Sequence, residues 1–171
     1  LFRGVDECDN KVFLIINSPC HNPCGMAYSY EEWSKIMDKL NNLNKEVVLV
    51  VDISYIDYAN DDPKKFFNLF SNISDNVFVM IASSTSKCFS FHGERLGVLI
   101  MIHNDVKFLN DFTNICSRLL RATWSSGNNG AMHTVTEVLK NHLDEYKKEI
   151  DRMFEEKKSK LESVFKFNQK D

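Results

Sequence analysis

Residues 46–53, E-V-V-L-V-V-D-I, hold five apolar residues in a row, Val47 to Val51, four of them β-branched. A strand with one face in water would alternate apolar and polar residues. This run does not alternate, so it predicts a strand covered on both faces, as in a parallel sheet between helices. Shorter apolar runs at Val12–Asn17, Asn76–Ala82 and Leu96–Ile102 have the length of strands and turn formers at their ends. Between the first two runs, Ser29-Tyr-Glu-Glu32 has the form of a capping box, and Trp33, Ile36, Met37, Leu40 and Leu43 follow at helical spacing. Asp61-Asp62-Pro63 opens a second helical stretch, with Phe66, Phe67, Leu69, Phe70 and Ile73 on its inner side. Strand, helix, strand, helix, strand is the order of an α/β fold, a mostly parallel sheet flanked by helices.

After the fourth run an amphipathic helix is expected over Asn104–Leu120, carrying Val106, Leu109, Phe112, Ile115 and Leu119. A polar break at Ser125–Gly130 precedes a helical pattern from Ala131 to Phe167, with Leu139, Leu143, Tyr146, Ile150, Met153, Leu161 and Val164 on its stripe. That pattern predicts one long helix packed along one domain and leaving toward another, with a coiled coil as the alternative. The expected division is therefore 1–130 and 131–171. With 43% hydrophobic and 26% charged residues, the 171-residue chain has the composition of a folded domain with a core. A net charge of −3 offers no field for nucleic acid or an anionic membrane, and no apolar run reaches bilayer length. Five irregularly spaced cysteines argue against a disulfide framework and for a reducing compartment. Cys20-His21-x-x-Cys24 has loose zinc-ligand spacing and no second ligand pair, so no metal is assigned. The chain opens mid-pattern without an initiator methionine, as a segment of a larger protein would.

Ligands of open parallel sheets sit outside the carboxyl ends of the strands. Three loops leave such ends here, and each carries a polar residue that a simple turn does not need: Asn22, Asp52 with Tyr55, and Ser84 with Lys87. A carboxylate ending a buried strand is costly without a cationic partner. Lys87, followed eight residues later by Arg95, suits either phosphate binding or Schiff-base chemistry with a carbonyl cofactor. Ordinary surface charges are the alternative reading of that stretch alone.

Taken together, these residues resemble the fold-type I pyridoxal-phosphate enzymes, specifically the class I aminotransferases. His21-Asn-Pro-Cys-Gly25 is similar to that family's H-N-P-T-G, and Asp52-Ile-Ser-Tyr55 to its D-x-A-Y. Ser84-Thr-Ser-Lys87 with Arg95-Leu-Gly97 resembles its S-x-x-K and the arginine beyond it. Arg121-Ala-Thr-Trp-Ser125, 34 residues after Lys87, resembles the R-x-T-W-S of aspartate aminotransferases.

The resemblance implies the large pyridoxal-phosphate-binding domain of a homodimeric enzyme of amino-acid metabolism, followed by a long interdomain helix. It implies that Lys87 is the catalytic residue, holding pyridoxal 5'-phosphate as a Schiff base and moving the substrate's α-proton. Asp52 would pair with the pyridinium N–H, Asn22 and Tyr55 with the phenolate oxygen, and Ser84 and Arg95 with the phosphate. Arg121 would bind a substrate side-chain carboxylate across the dimer interface, with Ser125 and Asn22 completing the substrate region. The implied reaction exchanges the amino group between aspartate and 2-oxoglutarate, giving oxaloacetate and glutamate. An aromatic or broad-specificity class I enzyme, and a non-catalytic interaction protein on the same fold, are the alternatives. The implied compartment is the cytoplasm, with the mitochondrion as alternative. Cys24 stands where the family has threonine, and Ser126-Gly-Asn128 where it commonly has Asn-Pro-Pro. Asp57-Tyr58 also departs from the family's usual residues. The family's glycine-rich phosphate loop, ring-stacking aromatic and α-carboxylate arginine have no match in these residues, so the segment alone is expected to be inert or nearly so.

Overall fold

The computed structural model of the protein describes residues 2–59 and 65–168, with side chains to residue 160. The expected helix start at Asp61-Asp62-Pro63 lies outside the described residues, as do the side chains of Leu161 and Val164. Four strands, β1 (Lys11–Asn17), β2 (Glu46–Asp52), β3 (Val77–Ser84) and β4 (Gly97–Ile102), form one sheet in chain order. β1, β2 and β3 run parallel in register, with Asn17 opposite Asp52 and Asp52 opposite Ala82. β4 runs antiparallel, so its first residue, Gly97, faces Ser84, the last of β3. The mostly parallel sheet expected from sequence is therefore present, and all three parallel strands deliver their polar ends to one edge.

One face of the sheet is closed. Val47, Leu49 and Val51 of β2, with Val12, Ile16, Val79 and Ile81, pack under α2 (Tyr30–Asn41) and under a 3-10 helix, Lys65–Asn72. The capping box at Ser29 forms as the sequence predicts, with reciprocal bonds Glu32 N–H to Ser29 Oγ (3.2 Å) and Ser29 N–H to Glu32 Oε2 (2.8 Å). Trp33, 2% exposed, stacks on Phe66 at 5.3 Å between centroids and meets Phe70 edge-on at 6.2 Å. The second predicted helical stretch is thus helical from Lys65, but wound as a 3-10 helix.

The opposite face departs from the expectation that β2 is sealed on both sides. Val48 and Val50 are only half-buried, and Phe13 and Ile15 beside them on β1 are 65% and 62% exposed. Cover on this side comes from α4 (Val106–Thr123), whose Phe108 and Phe112 pack edge-on against Phe78 of β3 at 5.0 and 5.1 Å. That contact reaches the β3 end of the sheet and leaves β1 bare. The predicted stripe on α4 is accordingly half used: Leu109 and Phe112 are half-buried, while Val106, Ile115 and Leu119 are exposed.

A short helix that the sequence pattern does not show, α1 (Phe2–Glu7), is held by Lys45. The Lys45 ammonium donates to the carbonyls of Val5 (3.1 Å), Asp6 (3.0 Å) and Cys8 (2.6 Å) at its C-terminal end. α3 (Thr85–Cys88) is a single turn that begins on Ser84. The chain separates into two compact units, residues 1–128 and 129–171. In the second unit, α5 (Asn129–Asn141) and α6 (Leu143–Asn168) replace the single helix read from the stripe. The junction is a bend rather than a stop. His142 N–H still donates to Val138 (3.0 Å), and its carbonyl accepts from Tyr146 N–H (2.9 Å), so backbone bonding crosses the bend.

Candidate active site

Three loops leave the carboxyl edge of β1, β2 and β3, and they meet in a cleft of about 400 Å3 lined by Asn17, His21, Asn22, Asp52, Ser54, Tyr55, Ser84 and Lys87. Five residues singled out from sequence, Asn22, Asp52, Tyr55, Ser84 and Lys87, therefore share one site. Parallel registration explains the convergence: Asn17 pairs with Asp52 and Asp52 with Ala82, two residues before Ser84, so the three strands end at one edge of the sheet.

Each side chain is fixed by short local bonds. Asp52 Oδ1 accepts from Ser54 N–H (2.9 Å) and from Ser54 Oγ–H (2.5 Å), which orients the carboxylate. Asp52 Oδ2 takes no hydrogen bond among the described residues, and Asp52 lines the cleft. Asn22 Nδ2 donates to the Tyr55 hydroxyl at 3.5 Å, so two donors sit side by side. Lys87 is half-buried, with Nζ 5.7 Å from the centroid of the Tyr55 ring. Ser84 Oγ caps α3 by accepting from Ser86 N–H (3.2 Å), which sets the direction in which Lys87 leaves the sheet.

Asn17 was not marked by the motif reading, yet it ties the site together. Its Oδ1 accepts from Asn22 N–H (2.8 Å) and its Nδ2 donates to the Asp52 carbonyl (3.1 Å). The signal was in the sequence: an amide ends an apolar strand there, just as a carboxylate ends β2. Ser54 and His21 are the other lining residues that the motif reading did not assign. Beneath the cleft, Cys88 Sγ–H donates to the Ser54 carbonyl (3.4 Å) and the Tyr58 hydroxyl donates to the Lys87 carbonyl (3.4 Å). Burial pushes the Cys88 thiol up to about 12, and the neighbouring Asp57 carboxylate adds to the shift. Burial, then Cys88, Asp57 and Tyr55, push the Tyr58 phenol up as well.

Arg95, Arg121 and Ser125 do not line the cleft. Arg95 is exposed, adopts φ 52°, and donates from Nη1 to the His92 carbonyl (3.1 Å). Arg121 lies exposed in the last turn of α4, and Ser125 follows it at φ 68°.

An amine beside an aromatic ring, a carboxylate with one unengaged oxygen, and an amide and a phenol pointing at the same space fit pyridoxal phosphate. Held outside the carboxyl edge of a parallel sheet, they define a site of the fold-type I pyridoxal-phosphate class. A family model described as aminotransferase class I and II matches residues 3–169, and the chain belongs to that family. An aminotransferase from Anaerococcus prevotii superposes with TM-score 0.83 and 29% identity, over 94% of this chain and 41% of that one. An aromatic-amino-acid aminotransferase from Burkholderia pseudomallei, covalently bound to pyridoxal phosphate, superposes with TM-score 0.78 and 22% identity, over 89% and 38%. Among curated relatives, the cytoplasmic aspartate aminotransferase of Caenorhabditis elegans is 27% identical over 123 residues, 71% of this chain and 30% of the relative. The aromatic-amino-acid aminotransferase of Pseudomonas aeruginosa is 22% identical over 126 residues, 74% and 31%. The chain thus spans about a third of the length of these relatives.

Proposed function

We propose that the whole protein is an aspartate aminotransferase, exchanging an amino group between aspartate and 2-oxoglutarate to give oxaloacetate and glutamate. The observation that carries this reading is the convergence of Lys87, Asp52, Asn22 and Tyr55 on one cleft from loops after three strands. Pyridoxal phosphate, when bound, supplies a carbonyl for the amino group and a ring that absorbs electrons from the substrate's α-carbon. Lys87 Nζ would hold the cofactor covalently and, when free, would take and return the substrate's α-proton. Asp52, steadied by Ser54, would keep a proton on the ring nitrogen through charge and hydrogen bonding. Asn22 Nδ2 and the Tyr55 hydroxyl would bind the ring oxygen and Ser84 the phosphate, and Arg95, which lies off the cleft bonded to the His92 carbonyl, would join Ser84 by turning from that carbonyl. Residues 1–130 are then part of the cofactor domain, and 131–171 lead toward a small domain. The activity belongs to the whole polypeptide, and these 171 residues alone turn over substrate poorly or not at all.

Aspartate preference rests on Arg121, which in a homodimer would serve the neighbouring subunit's cleft with Ser125. Its exposure in the last turn of α4, away from the cleft of its own chain, supports that arrangement. Among the described residues no helix is long and apolar enough to cross a membrane. The compartment proposed is the cytoplasm, with the mitochondrion as alternative. A second reading, an aromatic or broad-specificity aminotransferase, draws support from the aromatic-amino-acid relatives at comparable identity. Arg121→Leu separates the two. Losing a charge-assisted pair worth about 3 kcal/mol should cut kcat/KM for aspartate about 100-fold while leaving phenylalanine within about 5-fold. Equal loss on both substrates would remove Arg121 from the role assigned to it.

A further inference from the structure

Cys24 and His21 flank Asn22 in the loop after β1, and neither is given a role toward the cofactor. His21 Nδ1 lies 3.0 Å from Cys24 Sγ, and both side chains are exposed. The pair is held by a closed turn in which Gly25 N–H donates to the His21 carbonyl (2.6 Å) and His21 N–H to the Met26 carbonyl (2.8 Å). Gly25, at φ 70°, allows that reversal. Thiol and imidazole both open onto a cavity of about 530 Å3 with Ile15, Met26, Ala27 and Tyr28 on its walls. His21 also lines the Lys87 cleft, so it stands on the partition between the two spaces.

We propose that His21 and Cys24 form a reactive thiol–imidazole pair, a modification site for soft, largely apolar electrophiles such as α,β-unsaturated carbonyl compounds. With the ring proton on Nε2, Nδ1 accepts the thiol hydrogen as sulfur attacks. The S–C bond forms at the β-carbon, the C=C π-bond breaks, and the proton returns to the α-carbon through imidazole and solvent. No electrons leave the system and no further reactant is needed. The apolar cavity wall supplies the binding surface for the electrophile's carbon skeleton. Elsewhere, Cys88 is buried, and Cys8 bonds the Gly4 carbonyl at 3.3 Å within its helix. Burial pushes the Cys20 thiol up, away from thiolate formation.

The test uses N-ethylmaleimide as the probe, with labelling of each of the five cysteines followed by peptide mass spectrometry. Cys24 should label about ten-fold faster than Cys116, and His21→Gln should slow Cys24 about ten-fold while leaving Cys116 unchanged. Exposure without a base would keep Cys24 fast in both proteins, which would overturn the proposal. Should His21→Gln not fold, the pH profile of the unaltered protein decides. Glu32 and Tyr28 face the pair from the cavity, and Asp52, Tyr55 and Lys87 from the cleft. A rise in Cys24 labelling between about pH 5 and 8 that Cys116 does not share supports the pair. A profile that parallels Cys116 across the whole range contradicts it.

Discussion

Replacing Gly97 with alanine tests the strand junction from which α3 and Lys87 leave the sheet. A Cβ at Gly97 would stand 2.8 Å from the Ser83 carbonyl oxygen, closer than a carbon and a backbone oxygen approach each other. The oxygen cannot rotate away, because it belongs to β3 and sits in the β3–β4 register next to the Ser84–Gly97 pair. Relief must come from parting the strands at that end. Parting them strains the two bonds that close the edge, Thr85 N–H (3.1 Å) and Thr85 Oγ1–H (2.8 Å), both to the Leu96 carbonyl. Overpacking of one methyl costs about 1–3 kcal/mol, and the weakened edge bonds fall within that range, so a loss of about 2 kcal/mol is expected. With an m-value of about 2 kcal/mol/M, the urea midpoint should fall by about 1 M without a change in slope. Cofactor affinity should fall as well, since α3 begins at the same edge. Gly93→Ala is the control, because a Cβ there meets nothing within 4 Å. Equal midpoints for Gly97→Ala and the unaltered protein, or an equal drop in Gly93→Ala, would refute the steric reasoning.

Trp33→Ala should cost about 3–5 kcal/mol by chevron or equilibrium unfolding, because the ring is buried between two phenylalanines on the closed face of the sheet. Lys45→Met removes the ammonium that closes α1 on three carbonyls, and hydrogen exchange should show residues 2–7 losing protection while the strands keep theirs. Cys88 gives a pH signature with a defined sign. Its folded value lies above the ordinary 9.0, so its contribution is complete below pH 9 and is lost as pH rises toward about 12, while the unfolded thiol ionises first. Stability of Cys88→Ala should therefore fall less steeply over that window than the unaltered protein, measured by urea unfolding at stepped pH. Asn17→Ala should lower stability by about 2 kcal/mol in urea unfolding and weaken cofactor binding, since it breaks two bonds at the sheet edge, each worth about 1 kcal/mol.

The parallel strands, the capped α2 and the gathering of Lys87, Asp52, Asn22 and Tyr55 were legible in the sequence because each depends on local pattern. An apolar run ending in a polar residue marks a strand end, and parallel pairing brings such ends together without further information. What escaped depends on partners distant along the chain. α1 has no amphipathic pattern and exists through Lys45, some forty residues on. Asn17 reads as the last residue of a strand, and its part in the site rests on its bonds to Asn22 and Asp52, the second 35 residues on. The β2 run suggested cover on both faces, but Phe13 and Ile15 lie open because α4 reaches only as far as Phe78. The apolar stripe after Ala131 continues through His142, where the axis bends although the hydrogen bonds do not stop, so spacing alone could not show two helices.

The central claim is that Lys87 is the covalent anchor for pyridoxal phosphate. Incubating the protein with the cofactor, reducing with borohydride and mapping peptides by mass spectrometry tests it directly. The account predicts a yellow protein whose reduced phosphopyridoxyl group lies on Lys87, with Lys87→Ala colourless after gel filtration. Label on another lysine, or a colourless protein that takes up no cofactor, would contradict it and favour a non-catalytic protein on this fold.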